Sequence, residues 1–350
     1  MPSRVRPFHF QERKNMQENQ LLDVLTREGV LINVSVRYWR ATKKLNAEDL
    51  GLDPDKVTDR LISLGHKKLL PKEALEALAL VESRAHALVE ASTFPFLKGL
   101  SRFLPNAKLQ EVLDKLDNLS FDFASARADF LSRYAQMRES AAAEWLEAAR
   151  RLVADPERLV ATIEASFPPP ARIERFFEFS TQLFQIRLPE KLDLELVDAV
   201  TQQEVIRVRE EAARDAGEQI QREVQIFVAD CVASLRQQTA ELCQEMLGSM
   251  RDGKTGVHQK TLNRLTRFID EFKKLNFAGD AEMETQLERV RQEFLSRSAE
   301  DYRDDATAKA RLQHGLEGLA QTARELAQQD SRELVERFGQ MGVRRLTLAA

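Results

Sequence analysis

The chain contains little cysteine, glycine or proline. Its 350 residues include two cysteines, 13 glycines and 11 prolines, and aromatic residues make up 7%. Sparse helix breakers, together with many alanine, leucine, glutamate, glutamine and arginine residues, favour a mostly helical protein with short turns. A chain of this length has room for two or three domains with substantial cores.

The two cysteines, Cys231 and Cys243, stand twelve residues apart within one predicted helix. Twelve residues of helix rise about 18 Å, so these thiols cannot form an intramolecular disulfide while the helix is intact. Two buried thiols are typical of a protein in a reducing cytoplasm. The chain also lacks an apolar run of membrane-spanning length, and residues 1–14 lack the apolar core of a signal peptide. We therefore expect a cytoplasmic protein with no membrane contact.

Neither sign of charge is in large excess. The formal net charge is -4 and the isoelectric point is about 5.9, so no basic domain indicates constitutive nucleic-acid binding. Adjacent basic residues occur only as short isolated pairs, which are typical of solvated helix faces. Examples are Lys43-Lys44, Lys67-Lys68, Arg150-Arg151 and Arg344-Arg345.

One stretch has the character of a β-strand. Residues 30–39 are rich in β-branched and aromatic side chains, with polar residues alternating between them. Because a lone strand leaves its backbone hydrogen bonds unmade, it needs a partner, and residues 178–188 are the best candidate. We predict a small two-stranded β-ribbon of these two segments, with Phe94-Pro95-Phe96 as a turn.

The rest of the chain has helical periodicity. Residues 195–250 contain no proline, and their apolar residues recur at spacings of three and four, which predicts one long helix that must pack against others. Asp280 is a predicted helix cap. Helices are predicted at 11–27, 54–65, 71–91, 106–119, 121–153, 256–276, 280–301 and 304–338. A further short helix is predicted to begin at Pro156.

These elements predict a mostly α fold. We expect an elongated, coiled-coil-like bundle of long antiparallel helices plus the small ribbon. The predicted division is an N-terminal lead-in and helix at 1–28, a mixed helical head with the ribbon at 29–190, a long-helix bundle at 191–340 and a tail at 341–350.

One octapeptide indicates a chemistry. Gly248-Ser249-Met250-Arg251-Asp252-Gly253-Lys254-Thr255 matches the G-x-x-x-x-G-K-[ST] pattern of phosphate-binding loops. A working loop of this kind follows a buried strand and opens a helix, so that backbone N–H groups converge on the phosphates. Residues 234–247 instead have the pattern of an amphipathic helix. We interpret the octapeptide as the turn of a helical hairpin. A nucleotide site at Gly248, Gly253, Lys254 and Thr255 is the weaker alternative.

No other motif indicates catalysis or metal binding. The histidines are scattered, and none has a partner at metal-ligand spacing. Residues 172–179 interleave arginine with phenylalanine, as single-strand nucleic-acid binders do, but these phenylalanines are better explained as core. We predict no catalytic residue, no cofactor and no metal site. The histidines are His9, His66, His86, His258 and His314.

Three segments resemble a bacterial family of unknown function. They are Leu-Ile-Asn-Val-Ser-Val-Arg-Tyr-Trp-Arg-Ala-Thr-Lys-Lys-Leu at 31–45 with Ala-Glu-Asp-Leu-Gly-Leu at 47–52, Ser-Leu-Gly-His-Lys-Lys at 63–68, and residues 275–302. Genes of this family lie on plasmids, integrative elements and phage-like islands, beside a MoxR-type AAA+ ATPase and a protein with a von Willebrand A domain. The resemblance implies a three-component module in which the ATPase binds the nucleotide and this chain is the helical third partner.

The long helices and the lack of a catalytic motif predict a non-enzymatic scaffold or adaptor, and the resemblance implies that it acts with these two proteins. Its candidate settings are mobile-element maintenance and defence against phage, and its long helices offer a surface for self-association. Two alternatives stay open: a nucleic-acid-binding helical protein, and a P-loop nucleotide hydrolase that uses the octapeptide.

Overall fold

The structure, a computed structural model, describes residues 21–52, 64–185, 199–252, 257–329 and 333–339. Within these residues the fold is mostly helical and contains two small antiparallel sheets. The chain divides into two compact units that alternate along the sequence. The first comprises Met1–Ile32, Ser92–Leu109 and Leu183–Ala350, and the second comprises Asn33–Ala91 and Gln110–Gln182. The domain boundaries predicted at 28, 190 and 340 stay predictions, because compactness does not show which segments fold alone.

The secondary-structure elements are numbered along the chain. The strands are β1 (Gly29–Arg37), β2 (Thr42–Lys44), β3 (His66–Lys68), β4 (Phe94–Phe96), β5 (Ser101–Pro105) and β6 (Glu178–Phe184). The helices are α1 (Glu76–Ser92), α2 (Asn106–Leu152), α3 (Pro156–Ala165), α4 (Pro170–Ile173), α5 (Ala199–Asp252), α6 (Gln259–Leu275), α7 (Ala281–Phe294), α8 (Ala299–Asp304) and α9 (Ala306–Gln328). Residues 21–28 and 333–339 are also helical.

β1 is an inner strand of the larger sheet, whose strand order is β4-β5-β1-β6. It pairs antiparallel with β5, from Gly29 opposite Pro105 to Ile32 opposite Arg102. The predicted adjacency of β1 and β6 is confirmed, but the prediction of an isolated two-stranded ribbon is wrong, because β5 and β4 extend the sheet on the other side of β1. Residues 186–188 of the predicted second strand lie outside the described residues.

Phe94-Pro95-Phe96 forms strand β4, so the predicted turn is wrong. Phe94 and Phe96 are buried while Pro95 is exposed, as alternation along a strand requires. Proline is tolerated here because, among the described strands, β4 lies at the edge of the sheet, where no outer neighbour needs the missing N–H. The chain reverses just afterwards, where Leu97 has a φ of 48° and Gly99 a φ of 87°.

β2 and β3 form a second, two-stranded sheet, with Thr42 opposite Lys68 and Lys44 opposite His66. We did not predict these strands, because each has three residues and no apolar alternation. The interpretation of Lys43-Lys44 and Lys67-Lys68 as helix-face pairs is wrong, since both pairs lie in this sheet.

The first unit is built around the long helix α5, which confirms the predicted unbroken helix from 199 to 250; residues 195–198 lie outside the described residues. Arg236 of α5 donates to the carbonyl of Leu326 in α9, whereas Gly248, further along α5, borders the earlier residue Glu317. The two helices are therefore antiparallel. α6 places Leu265 and Ile269 in the same core, and both are fully buried. A coiled-coil arrangement of the whole bundle stays a prediction.

The second unit has an aromatic core centred on Trp39. Its ring contacts Phe130, Tyr134 and Phe167, with ring centroids 6.4, 5.8 and 5.7 Å away. The hydroxyl of Tyr134 donates to the Pro168 carbonyl at 2.7 Å. Burial raises the pKa of Tyr134 to about 12. This core fixes the end of β1 against α2, where Phe130 and Tyr134 lie.

Several predicted helices differ from the structure in their extent. The helix predicted at 304–338 ends at Gln328, because Gln329 has an extended backbone. The helices predicted at 106–119 and 121–153 are one helix, α2, because no glycine or proline interrupts the segment. The helix predicted at 280–301 is divided into α7 and α8, since Ser298 caps α8 through the N–H of Asp301. Asp280 caps α7 through the N–H of Met283, as predicted. Residues 11–20 and 53–63 of two further predicted helices lie outside the described residues.

Among the described residues, no helix combines the length and the apolar character that crossing a membrane requires.

Candidate functional site

The octapeptide begins inside a helix. Gly248 through Asp252 are the last residues of α5, and the residues before Gly248 are helical as predicted. A phosphate-binding loop needs a strand at this point, because its backbone N–H groups must leave the strand and converge on the ligand. Gly253, Lys254 and Thr255 lie outside the described residues.

A groove lies between α5 and α9 at Gly248. It encloses about 420 Å³. Its floor is apolar, since Leu247 and Ala320 are buried, and its rim carries amide and charged side chains. The residues that line it are Gln244, Leu247 and Gly248 of α5 and Glu317, Ala320, Gln321 and Arg324 of α9.

The absence of a side chain at Gly248 keeps this groove open. A Cβ built at Gly248 meets no atom within 4 Å. Glycine in a helix interior costs about 0.5–1 kcal/mol relative to alanine, because it loses more backbone freedom on folding. In the sequence Gly248 is notable for its place in a motif, whereas in the structure it lines a surface groove.

A buried ion pair connects α5 and α9 away from the groove, at the other end of the contact between these two helices. The guanidinium of Arg236 donates to the carboxylate of Asp280 at 2.6 Å and to the carbonyl of Leu326, also at 2.6 Å. The two side chains are only 7% and 2% exposed. Since Asp280 also caps α7, this pair joins α5, α7 and α9. Its role is to position the helices that form the groove.

The two cysteines are buried in α5 and make no disulfide. Burial raises the pKa of Cys231 well above its usual value, and it raises the pKa of Cys243 to about 12. Both therefore hold the neutral thiol near neutral pH. Since the thiolate is the reactive form, these cysteines are packing residues and not nucleophiles.

The histidines and acidic residues that the structure describes are spread over different elements. Among the described residues, no group of three or more histidine, cysteine, aspartate or glutamate side chains is placed to hold a metal ion. His66, His86, His258 and His314 lie on four different elements or their ends, and His9 is outside the described residues.

Residues 172–179 do not present a row of aromatic rings. Phe177 is buried and packs on Phe130, with ring centroids 5.4 Å apart. Phe179 packs on Phe123 at 5.9 Å. Only Phe176 is largely exposed, at 47%. The expectation that these phenylalanines serve as core holds for Phe177.

The structure brings together two basic pairs that are distant in sequence. Lys43 and Lys44 lie in β2, and Lys67 and Lys68 lie beside them in β3. Arg150 and Arg151 end α2, where both contact Glu147. Arg344 and Arg345 lie outside the described residues. No sequence signal joins β2 to β3, because more than twenty residues separate them.

These observations define a mostly helical protein whose candidate sites, among the described residues, are a surface groove and a basic two-stranded sheet. The chain belongs to DUF3150, a family of proteins of unknown function, whose family model matches residues 26–301. No curated protein and no solved structure matches the chain. The predicted membership of a family of unknown function is thus confirmed.

Proposed function

We propose that this chain is a non-enzymatic adaptor that works with a MoxR-type AAA+ ATPase and a protein with a von Willebrand A domain. The observation that best supports this proposal is the groove between α5 and α9. A partner helix buries apolar side chains on a floor such as Leu247 and Ala320, and its polar flanks pair with a rim such as Gln244 and Arg324.

Further support comes from the surface of α5 itself. This helix is 54 residues long. Ile226, on its outer surface, is 61% exposed, although a large aliphatic side chain gains free energy when it leaves water. An adaptor needs a continuous rigid element with apolar contact points, and α5 supplies both.

The identities of the partners rest on the family resemblance. That resemblance implies genes beside the ATPase and the von Willebrand A protein, on plasmids, integrative elements and phage-like islands. In the proposed module the ATPase supplies the nucleotide chemistry, and the adaptor couples it to the other component. Mobile-element maintenance and defence against phage are the settings we propose for such a module.

Co-purification of the full-length chain with each neighbour, with and without ATP, tests this proposal. The substitution Gly248→Leu should fill the groove, because a Cβ at this position meets no atom within 4 Å. Gly318→Leu is the matched control, because Gly318 also lies in a helix with nothing within 4 Å of its Cβ but does not line the groove. We expect Gly248→Leu to weaken capture of a partner at least about tenfold, because the filled groove no longer accepts an apolar side chain.

We expect the Gly318→Leu control to capture the partner as the wild type does. Circular dichroism of both variants confirms that each stays folded. If neither neighbour associates with the wild-type chain under any nucleotide condition, the adaptor proposal is wrong. If both variants lose the partner equally, the groove is not the binding surface.

A further inference from the structure

The sheet formed by β2 and β3 carries an unusual concentration of positive charge. Of its six residues, four are lysine and one is histidine. Lysine is depleted in strands, and like charges placed opposite each other across a sheet are destabilising. Lys43 stands opposite Lys67, and Lys44 stands opposite His66. We call this element the basic ribbon.

The two faces of the basic ribbon differ. Side chains alternate along a strand and cross-strand partners share a face, so Lys43 and Lys67 lie on one face. On that face Lys67 is buried, and its ammonium group donates to the carboxylate of Asp49 at 2.8 Å. Both side chains of this pair are 5% exposed. One lysine of the ribbon is therefore neutralised within the protein.

The opposite face carries cations that the described residues do not neutralise. Thr42, Lys44, His66 and Lys68 share this face, and all four are exposed. In the part of the chain that the structure describes, Lys44 and Lys68 have no ion pair. Lys44 and Lys68 are diagonal neighbours across the two strands, because Lys44 pairs with His66, two residues before Lys68, so they lie about 7–8 Å apart. The cations are thus close together and held in a fixed pattern.

The surroundings make the basic ribbon rigid. The backbone N–H of Leu69 donates to the carbonyl of Ala41 at 2.7 Å, and the N–H of Leu45 donates to the carbonyl of Gly65 at 3.1 Å. The indole N–H of Trp145 in α2 donates to the carbonyl of Lys68 at 3.0 Å. Because the ribbon is fixed before any ligand arrives, binding loses little conformational entropy.

We propose that the exposed face of the basic ribbon binds the phosphodiester backbone of a nucleic acid. Lys44 and Lys68 neutralise neighbouring phosphates, and the imidazole of His66 donates a hydrogen bond between them. Phosphate contacts come largely from lysine, arginine and small polar side chains, and they need no apolar anchor. Phosphate contacts carry no sequence information, so we expect binding that is independent of sequence.

Other polyanions fit this face less well. Protein interfaces bury apolar and aromatic anchors and are depleted in lysine, and this face offers no apolar side chain. Attachment to an anionic membrane uses larger clusters of four to eight cations. Lysines also protect the edges of a two-stranded sheet against pairing with another chain, and that role needs no ligand. The experiment below tests for nucleic-acid binding against these alternatives.

The test is fluorescence anisotropy of the full-length protein with a short labelled duplex, repeated over a series of salt concentrations. The ribbon variant is Lys44→Gln/Lys68→Gln. The matched control is Arg150→Gln/Arg151→Gln, which removes the same charge from exposed residues of the same unit. We expect the wild type to bind at low salt and the ribbon variant to bind roughly tenfold or more weakly. The slope of log affinity against log salt should become shallower by about 2, because each phosphate that a lysine neutralises contributes about 0.9 to that slope.

The control should bind as the wild type does. Absence of wild-type binding at low salt, or equal weakening in the two variants, overturns the proposal. Displacement of the duplex by polyglutamate at equal charge concentration also overturns it, in favour of an acidic protein partner. Both variants should stay folded in circular dichroism. This inference is independent of the adaptor proposal, because it concerns the second unit and uses no protein partner.

Discussion

At the scale of single residues, two glycines of α9 have different surroundings although they stand three positions apart. A Cβ at Gly315 would lie 2.4 Å from the Cε2 atom of the Phe294 ring, whereas a Cβ at Gly318 would meet nothing within 4 Å. Both glycines are inside the helix, so alanine gains the same helix propensity at each. Only at Gly315 does it also collide with a neighbour.

We therefore predict opposite effects of two alanine substitutions. Gly318→Ala should raise the free energy of unfolding by about 0.5–1 kcal/mol, because only the helix propensity changes. Gly315→Ala should instead lower the free energy of unfolding relative to the wild type by about 1–3 kcal/mol, the usual cost of overpacking. Urea unfolding followed by circular dichroism measures both. Equal stabilisation of the two variants would show that Phe294 does not fill the space beside Gly315.

The sequence does not distinguish these two glycines. Both stand in His-Gly-Leu-Glu-Gly, at 314–318, amid the same helical pattern. Their difference arises from Phe294, which lies in another helix and about twenty residues earlier. The same holds for Gly248, whose motif indicated a nucleotide site but whose neighbours across the groove come from α9.

At the scale of elements, the buried pair of Arg236 and Asp280 connects three helices. Replacement of Arg236 by methionine keeps much of the side-chain volume but leaves the Asp280 carboxylate buried without its partner. We expect Arg236→Met to lower the free energy of unfolding by about 3–5 kcal/mol. Thermal and urea unfolding check this value, and a double-mutant cycle with Asp280→Asn isolates the pairwise interaction energy.

An exposed ion pair of similar length provides the control. Lys273 of α6 contacts Glu288 of α7 at 2.8 Å, but these side chains are 39% and 36% exposed. Water screens such a pair, so Lys273→Met should be far less destabilising than Arg236→Met. Similar losses in the two variants would mean that burial does not determine the strength of the inner pair.

Elements with long-range regularity could be predicted from the sequence, and those that depend on neighbours could not. α5 and α6 repeat apolar residues over many turns, and β1 combines β-branched residues with alternation. β4 was missed because Pro95 indicates a turn until β5 is known to pair with it. The basic ribbon was missed because its three-residue strands carry no apolar pattern.

At the scale of the whole molecule, the two compact units interleave along the chain. β1 and α2 each contribute residues to both units, since the divisions fall after Ile32 and after Leu109. A sequence read from one end to the other shows no composition change at these positions. The candidate surfaces are equally non-local: the groove combines residues some seventy positions apart, and the ribbon joins residues more than twenty apart. Surfaces of this kind become visible only when the partners in space are known.

In the proposed module the ATPase binds the nucleotide and this chain does not, which can be tested directly. The glycine that should open a phosphate loop is inside α5, and a helix at this point directs its N–H groups along its own axis and not toward a ligand. We therefore expect the purified chain to bind no ATP, while the MoxR-type partner binds it. Titration of a fluorescent ATP analogue against the wild type and Lys254→Ala should give the same flat response. A saturable signal that Lys254→Ala abolishes would instead assign the nucleotide chemistry to this chain and favour the hydrolase alternative over the adaptor.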